Sequence, residues 1–134
     1  MQDVALIDIW TRNDSVDVLY ELLKEREEHE SIAHKRMPSY DEHLSFVAGQ
    51  PYLAWYLVMV AGTPVGSVYL TYDREIGAAV LKKARGHGYG ARAISMLMLM
   101  HPGRFRANIN PANQKSVDLF RKLGFGLIQH TYAL

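Results

Sequence analysis

The stretch from Lys82 to Met96, KKARGHGYGARAISM, constrains the fold more than any other part of the chain. It sets glycines at 86, 88 and 90 between a strand-like run, EIGAAVL, and a run with helical character. Glycine accepts left-handed backbone and lets other groups come close to the main chain, so a strand turns sharply into a helix here. The first turn of a helix has N–H groups with no intrahelical partner, and the helix dipole adds partial positive charge there. Lys82, Lys83 and Arg85 add whole charges. Such a turn suits an anion, and a pyrophosphate fits it.

The rest of the chain sets the frame for that turn. Its 134 residues, 49% of them hydrophobic, suit one domain spanning 1–134 with one real core. Without cysteines it has neither a disulfide framework nor a thiol nucleophile, which is compatible with a cytoplasmic setting. The opening MQDVALIDIW is too acidic and too short in apolar run for a signal peptide, and no segment approaches the roughly 18 apolar residues of a membrane span. Charge is divided unevenly: residues 1–60 carry five Lys/Arg against eleven Asp/Glu, a balance of −6, whereas residues 61–134 carry ten against three, a balance of +7. The basic half is either a solvated surface or the face that meets an anionic partner.

The pattern predicts the order β α α β β β α β α β. VALIDIW alternates as a first strand, and residues 16–30 form an amphipathic helix behind the capping residues Asn13 to Ser15. Ser39 and Glu42 stand at capping-box spacing ahead of a second short helix. LAWYLVMV and VGSVYLTY flank Ala61-Gly62-Thr63-Pro64 as a hairpin. After the glycine turn and its helix come a strand at RFRANI, a helix over 113–123 ended by Gly124, and a last strand at FGLIQHTYAL. This is a mixed α/β fold of α+β type, antiparallel in the middle, with a β-α-β crossover after it.

Three phosphate-binding motifs compete for the turn. A phosphate-loop NTPase needs Gly-Lys-Ser/Thr at the helix start, but Gly90 is followed by Ala91-Arg92. The dinucleotide fingerprint G-x-G-x-x-G/A matches Gly86, Gly88 and Ala91, but it lies two-thirds along the chain, and ANINPANQ at 107–114 has no acid for the ribose. The third takes in the arginine. Arg85-x-x-Gly88-x-Gly90 resembles the acyl-CoA signature Q/R-x-x-G-x-G/A of the GNAT acetyltransferase superfamily, and NPANQKSVDLFRKLGF resembles that superfamily's later block ending in K-L-G-F. The resemblance covers about residues 54–128.

The resemblance implies a mostly antiparallel sheet with helices on both faces, and acetyl-CoA as acyl donor. It implies that residues 75–81 and 104–110 splay apart around the pantetheine arm, with Val80 and Leu81 offering main chain to it. The pyrophosphate would rest on Arg85, Gly86, His87, Gly88, Tyr89 and Gly90, and Asn113 matches an asparagine that touches the cofactor or serves as a plain N-cap. The reaction is attack of a neutral amine on a thioester, for which Glu75 matches the glutamate many relatives carry as base, with Asp73 and His101 as rivals. Phe120 stands where the family often has a tyrosine that protonates the leaving thiolate. Either the thiolate leaves unassisted, or Ser116, Tyr89 or water assists.

MPSYDEHLSFV before the second strand resembles acetyltransferases that modify amino-sugar nucleotides. The expected partner is therefore a small-molecule amine rather than a nucleic acid, with no membrane; a homodimer, a peptide or nucleic-acid amine, and an acyl-CoA-binding sensor or assembly module without turnover stay open. HESIAH (His29, Glu30, His34) misses the H-E-x-x-H zinc spacing by one residue, so no metal is expected. His43 is read as a helix-surface histidine beside the acceptor cleft.

Overall fold

The computed structural model describes residues 3–26 and 36–134. The HESIAH stretch and the end of the predicted 16–30 helix lie outside them. Four strands, β1 (Val4–Asp8), β2 (Ala54–Val60), β3 (Thr63–Leu70) and β4 (Ile76–Val80), form one antiparallel sheet in the order β1-β2-β3-β4. Four α-helices, α1 (Ser15–Lys24), α2 (Tyr40–Ala48), α3 (Tyr89–Met100) and α4 (Gln114–Lys122), and two short 3₁₀ turns, Ile9–Thr11 and Lys82–Ala84, complete the described elements.

Period-two alternation along the strands divides the apolar residues between the two faces. On one face Leu57 and Met59 meet Leu19 and Leu22 of α1 and Val47 of α2. On the other, Val58, Val60, Val68 and Leu70 meet Ala93, Ile94 and Leu97 of α3 and Phe120 of α4. Helices therefore cover both faces, and each fully buried Leu or Ile contributes about 1.5–3 kcal/mol over an exposed one.

Local chemistry explains the joints. Ala61 and Gly62 both have positive φ, +50° and +77°, the type I′ geometry whose twist matches a two-residue hairpin between β2 and β3. Ser39 and Glu42 form a reciprocal capping box, with Glu42 N–H donating to Ser39 Oγ at 3.1 Å and Ser39 N–H to Glu42 Oε1 at 3.0 Å. The K-L-G-F block is a helix stop: Gly124 N–H donates to the Arg121 carbonyl, Phe125 N–H to that of Phe120, and the rings of Phe120 and Phe125 pack edge to face 5.1 Å apart. Gly124 has φ +96°, as a Schellman end requires.

Two expected strands are absent among the described residues. The segment at 104–110 makes one parallel bridge, Glu75 with Arg106, and no ladder, so the β-α-β crossover is reduced to that single contact. Residues 125–134 form no strand, and Leu127, Ile128 and Tyr132 stand exposed. Their alternation suits a strand, but no neighbouring strand offers a ladder.

His43 departs from the expected surface position. It is only 3% exposed, in the α1–α2 packing, with Tyr20's ring 5.4 Å away and no hydrogen-bond partner for Nε2 among the described residues. Burial pushes its imidazole below the ordinary 6.5, opposed by a contact with the Val16 backbone. The unfolded chain therefore takes up a proton near 6.5 that the folded chain resists, so stability is full above that value and is lost as pH falls through it. The urea midpoint should drop between about pH 7 and pH 5, before carboxylates such as Glu42 titrate, and His43→Gln should flatten that slope. A wild-type midpoint constant over this interval would show that the ring is not held neutral.

Candidate active site

The site grows out of the way β4 is bonded. Leu81 N–H donates to the Val65 carbonyl of β3 at 2.8 Å, whereas Ile76 N–H donates to the Arg106 carbonyl, also at 2.8 Å, on the opposite side. N–H groups alternate sides along a strand, so those of Ala78 and Val80 face away from β3 with that of Ile76. Past the Glu75–Arg106 bridge the two segments share no further pairing among the described residues. The sheet opens there into a wedge, and two main-chain donors point into it.

The glycine turn closes the far end of the wedge. Lys82–Ala84 make one 3₁₀ turn, Arg85 is extended, Gly86 and Gly88 have φ +87° and +76°, and α3 begins at Tyr89. The first intrahelical bond is Arg92 N–H to the Gly88 carbonyl, which leaves the N–H groups of Gly90 and Ala91 without intrahelical acceptors. Nothing within 4 Å would meet a Cβ on Gly86 or Gly88, and one on Gly90 would meet only Val80 Cγ2, at 3.6 Å. The space over the turn is open, as an approaching pyrophosphate needs. Arg85 folds back so that Nε donates to the Val80 carbonyl at 3.1 Å, which puts the charge at the mouth of the wedge. His87 and Tyr89 stack 5.3 Å apart on the same rim.

Leu81 requires a correction. Its N–H belongs to Val65, its carbonyl accepts from Ala84, and its side chain is buried under α1. Strand parity makes Ala78 the residue that accompanies Val80. Asn113 caps α4, its side chain accepting from Ser116 N–H at 3.3 Å.

Glu75 sits where the wedge begins. Its N–H donates to Thr71 Oγ1, and its carboxylate lies 3.6 Å from the Arg106 guanidinium. Of its rivals, Asp73 is exposed in the β3–β4 turn, and His101 is paired elsewhere, with Nε2 2.7 Å from the Tyr56 hydroxyl at the end of α3. Burial, then the charge of Asp8, raises the pKa of Tyr56. Phe120 is buried against Phe125 on the α3 side of the sheet, and Ser116 is partly buried one turn earlier.

Sequence reasoning missed an aromatic group on the other face. Tyr52 and Tyr69 stack with centroids 4.0 Å apart and planes within 4°, and Trp55 and Phe46 stand edge-on around them. Tyr69 pairs across the ladder with Gly77, and a Cβ on Gly77 would fall inside the Tyr69 phenol. A tyrosine directly opposite a glycine across a tight hairpin is the readable signal, because the ring folds over the bare backbone.

The open wedge, the glycine turn and the K-L-G-F helix stop together decide the family question when set beside known proteins. The profile of the Acetyltransferase (GNAT) family matches residues 16–125. The chain belongs to the GNAT acetyltransferase family. Among solved structures it is similar to a domain from Methanocaldococcus jannaschii (18% identity, TM-score 0.83, covering 98% of this chain and 93% of that one). It is also similar to an acetyltransferase from Thermus thermophilus (18%, 0.70, 96% and 89%). A third is yncA from Salmonella typhimurium, solved with its cofactor acetyl-CoA (16%, 0.67, 93% and 79%). At these identities the likeness is one of fold. Among curated proteins none matches the sequence. GNAT acetyltransferases use acetyl-CoA, and an open glycine turn beside unclaimed main-chain donors fits it. Among the described residues no helix is long and apolar enough to cross a membrane.

If the turn holds the pyrophosphate, acetyl-CoA at about 100 times its Kd raises stability by roughly 2.7 kcal/mol, and NAD does not. Gly90→Leu tests close approach better than a change at Gly88, where positive φ strains any other residue by about 1 kcal/mol or more. The variant should melt close to the ligand-free wild type and show no shift with acetyl-CoA. A normal shift in Gly90→Leu would move the anion site elsewhere.

Proposed function

We propose that this GNAT acetyltransferase, acting as one unit over residues 1–134, transfers the acetyl group of acetyl-CoA to the primary amine of a small molecule, with an amino-sugar nucleotide as the favoured acceptor. The observation that carries it is the wedge beside β4, with the main-chain donors of Ala78 and Val80 facing into it and the glycine turn at its end. In this reading the N–H groups of Gly86 to Gly90 hold the pyrophosphate, with Arg85, whose own N–H donates to the Lys82 carbonyl, beside them; Val80 and Ala78 hold the pantetheine arm, and Asn113 touches the cofactor while capping α4. Bound acetyl-CoA supplies an activated carbonyl.

The protein's part is to hold charge and move protons. In this reading main-chain N–H groups of β4 receive the oxyanion, since fixed donors stabilise such a transition state without reorganising. A lysine-type amine, with an unperturbed pKa of about 10.4, is almost wholly protonated at neutral pH and needs a base or a dry site. A sugar amine is less basic because neighbouring oxygens withdraw charge, so it asks less of the base. Glu75, at the start of the wedge, is the base in this reading. With Phe120 unable to donate a proton, a weakly basic acceptor suits the site better than a lysine, which agrees with the YDEHLSFV resemblance. The cysteine-free chain is compatible with a reducing cytoplasm, the setting this reading assumes.

Release of free thiol from acetyl-CoA, measured against amino-sugar nucleotides, polyamines and lysine peptides, tests the reading. Sugar amines should turn over faster than peptides. Glu75→Gln should lose about 100-fold at neutral pH and recover much of it as pH rises and free amine forms unaided. Glu75→Gln at the wild-type rate at pH 7 removes Glu75 from the chemistry, faster peptide turnover overturns the acceptor, and acetyl-CoA binding without turnover of any amine makes the protein a sensor or assembly module.

A further inference from the structure

The two faces of the wedge differ in a way the reaction can use. On the α3 face stands Phe120, buried against Phe125 and packed with Ile76. On the α1–α2 face stands the phenol end of Tyr69, laid against Gly77 so closely that only glycine fits beneath it. Gly77 lies between Ile76 and Ala78, the two residues whose N–H groups turn toward the wedge. A hydroxyl is therefore held over the middle of β4, on the opposite face from the ring that cannot donate.

We infer that Tyr69 is a catalytic residue whose hydroxyl protonates the departing thiolate, taking the role that Phe120 leaves empty. This rests on the acetyl-transfer reading above. The surroundings fix the ring. Tyr52 stacks on Tyr69 at 4.0 Å, Trp55 stands edge-on to both at 4.7 and 6.3 Å, and Phe46 closes the outer side of Tyr52 at 5.9 Å, so the Tyr69 ring is held in place. The stack lays the two phenol rings over one another, with planes within 4°. Burial, then the neighbouring Tyr69, raises the pKa of Tyr52 well above the ordinary tyrosine range, against the weaker opposing charge of Arg26. Tyr52 therefore stays an uncharged phenol beside the Tyr69 ring.

The step balances. The amine nitrogen bonds to the acetyl carbon, and the carbon–sulfur bond breaks. The amine's surplus proton goes to Glu75 and on to water, while the Tyr69 proton goes to sulfur. The Tyr69 phenolate regains a proton from water. One amine and one thioester become one amide and one thiol.

The test uses the full chain with CoA itself, because a donor to sulfur lowers the pKa of the bound thiol whether or not an acceptor is known. Thiolate absorbance of bound CoA, with the ligand-free protein subtracted, is titrated in wild type, Tyr69→Phe and Tyr52→Phe. Tyr69→Phe keeps the stacked ring, and the thiol should titrate about one unit higher than in wild type, a tenfold loss of thiolate stabilisation, with acetyl-CoA affinity unchanged within about twofold. Tyr52→Phe, which keeps the stacked ring and removes no donor to sulfur, should leave it near the wild-type value. In turnover, Tyr69→Phe should lower kcat by roughly 10–100-fold with KM unchanged, and Phe120→Tyr should change wild type little but restore much of the rate in the Tyr69→Phe background. Equal thiol pKa in wild type and Tyr69→Phe overturns the proposal even if turnover falls, since a packing defect lowers kcat without touching the sulfur. A wild type that binds CoA, shows the thiol shift and acetylates no amine overturns the acceptor reading and leaves Tyr69 at the sulfur. A protein that does not bind CoA removes both.

Discussion

The clamp made by Arg74 sets where the sheet stops being a sheet. Arg74 sits in the β3–β4 turn with φ +67°, a conformation that costs a side-chain-bearing residue free energy and persists only when its surroundings demand it. They do so here. Its guanidinium donates to the carbonyls of Arg104 and His101 at 2.9 and 2.7 Å, lies 4.8 Å from the Phe105 ring centroid, and occupies the space a Cβ on Gly103 would need. Its own carbonyl accepts from Arg106 N–H. One residue thus ties the exit of α3 to the start of β4, next to Glu75–Arg106, the one bridge that β4's side of the turn makes with the returning segment among the described residues. Beyond that point the strand and the returning segment part, and every feature of the site follows from the parting.

This clamp also redistributes the charge asymmetry. The positive balance of the second half reads, in sequence, as a surface awaiting an anion. Much of it is structural. Arg74 holds carbonyls, Arg106 bonds the Asp73 carbonyl and lies beside Glu75, and Arg85 bonds the Val80 carbonyl. The guanidinium fork, with several donors in fixed directions, is suited to satisfying main-chain oxygens where regular pairing ends. Lys82 and Lys83 are exposed at the turn.

What could be read in advance was local chemistry. The capping box, the hairpin turn, the strand-to-helix glycine turn and the Gly124 helix stop each depend on a few residues in fixed order, and the structure has them all. What could not be read depended on partners distant in sequence. RFRANI and FGLIQHTYAL have strand-like patterns, yet a strand exists only with a neighbour, and pattern cannot supply one. His43 looked like a surface histidine because its own helix is polar around it, while its burial comes from α1. At the site, Leu81 was one position out of phase. The parity of a short strand is set by its first cross-strand bond, here Ile76 to Arg106, thirty residues apart in the chain. Tyr69 escaped notice because its importance lies in the glycine it faces.

The half-open strand has a kinetic signature. An amide in a ladder is shielded from solvent deuterons until the ladder opens, whereas one facing a wedge is shielded only while something fills the wedge. Along β4 the amides of Gly77, Ala79 and Leu81 turn toward β3, and those of Ala78 and Val80 toward the opening. Exchange along five consecutive residues therefore alternates between slow and fast in the resting protein, and a bound acyl donor evens it out. If the acyl donor lies where proposed, the strand beside it is also its own occupancy gauge, with a comb-like pattern when empty and a uniform one when full.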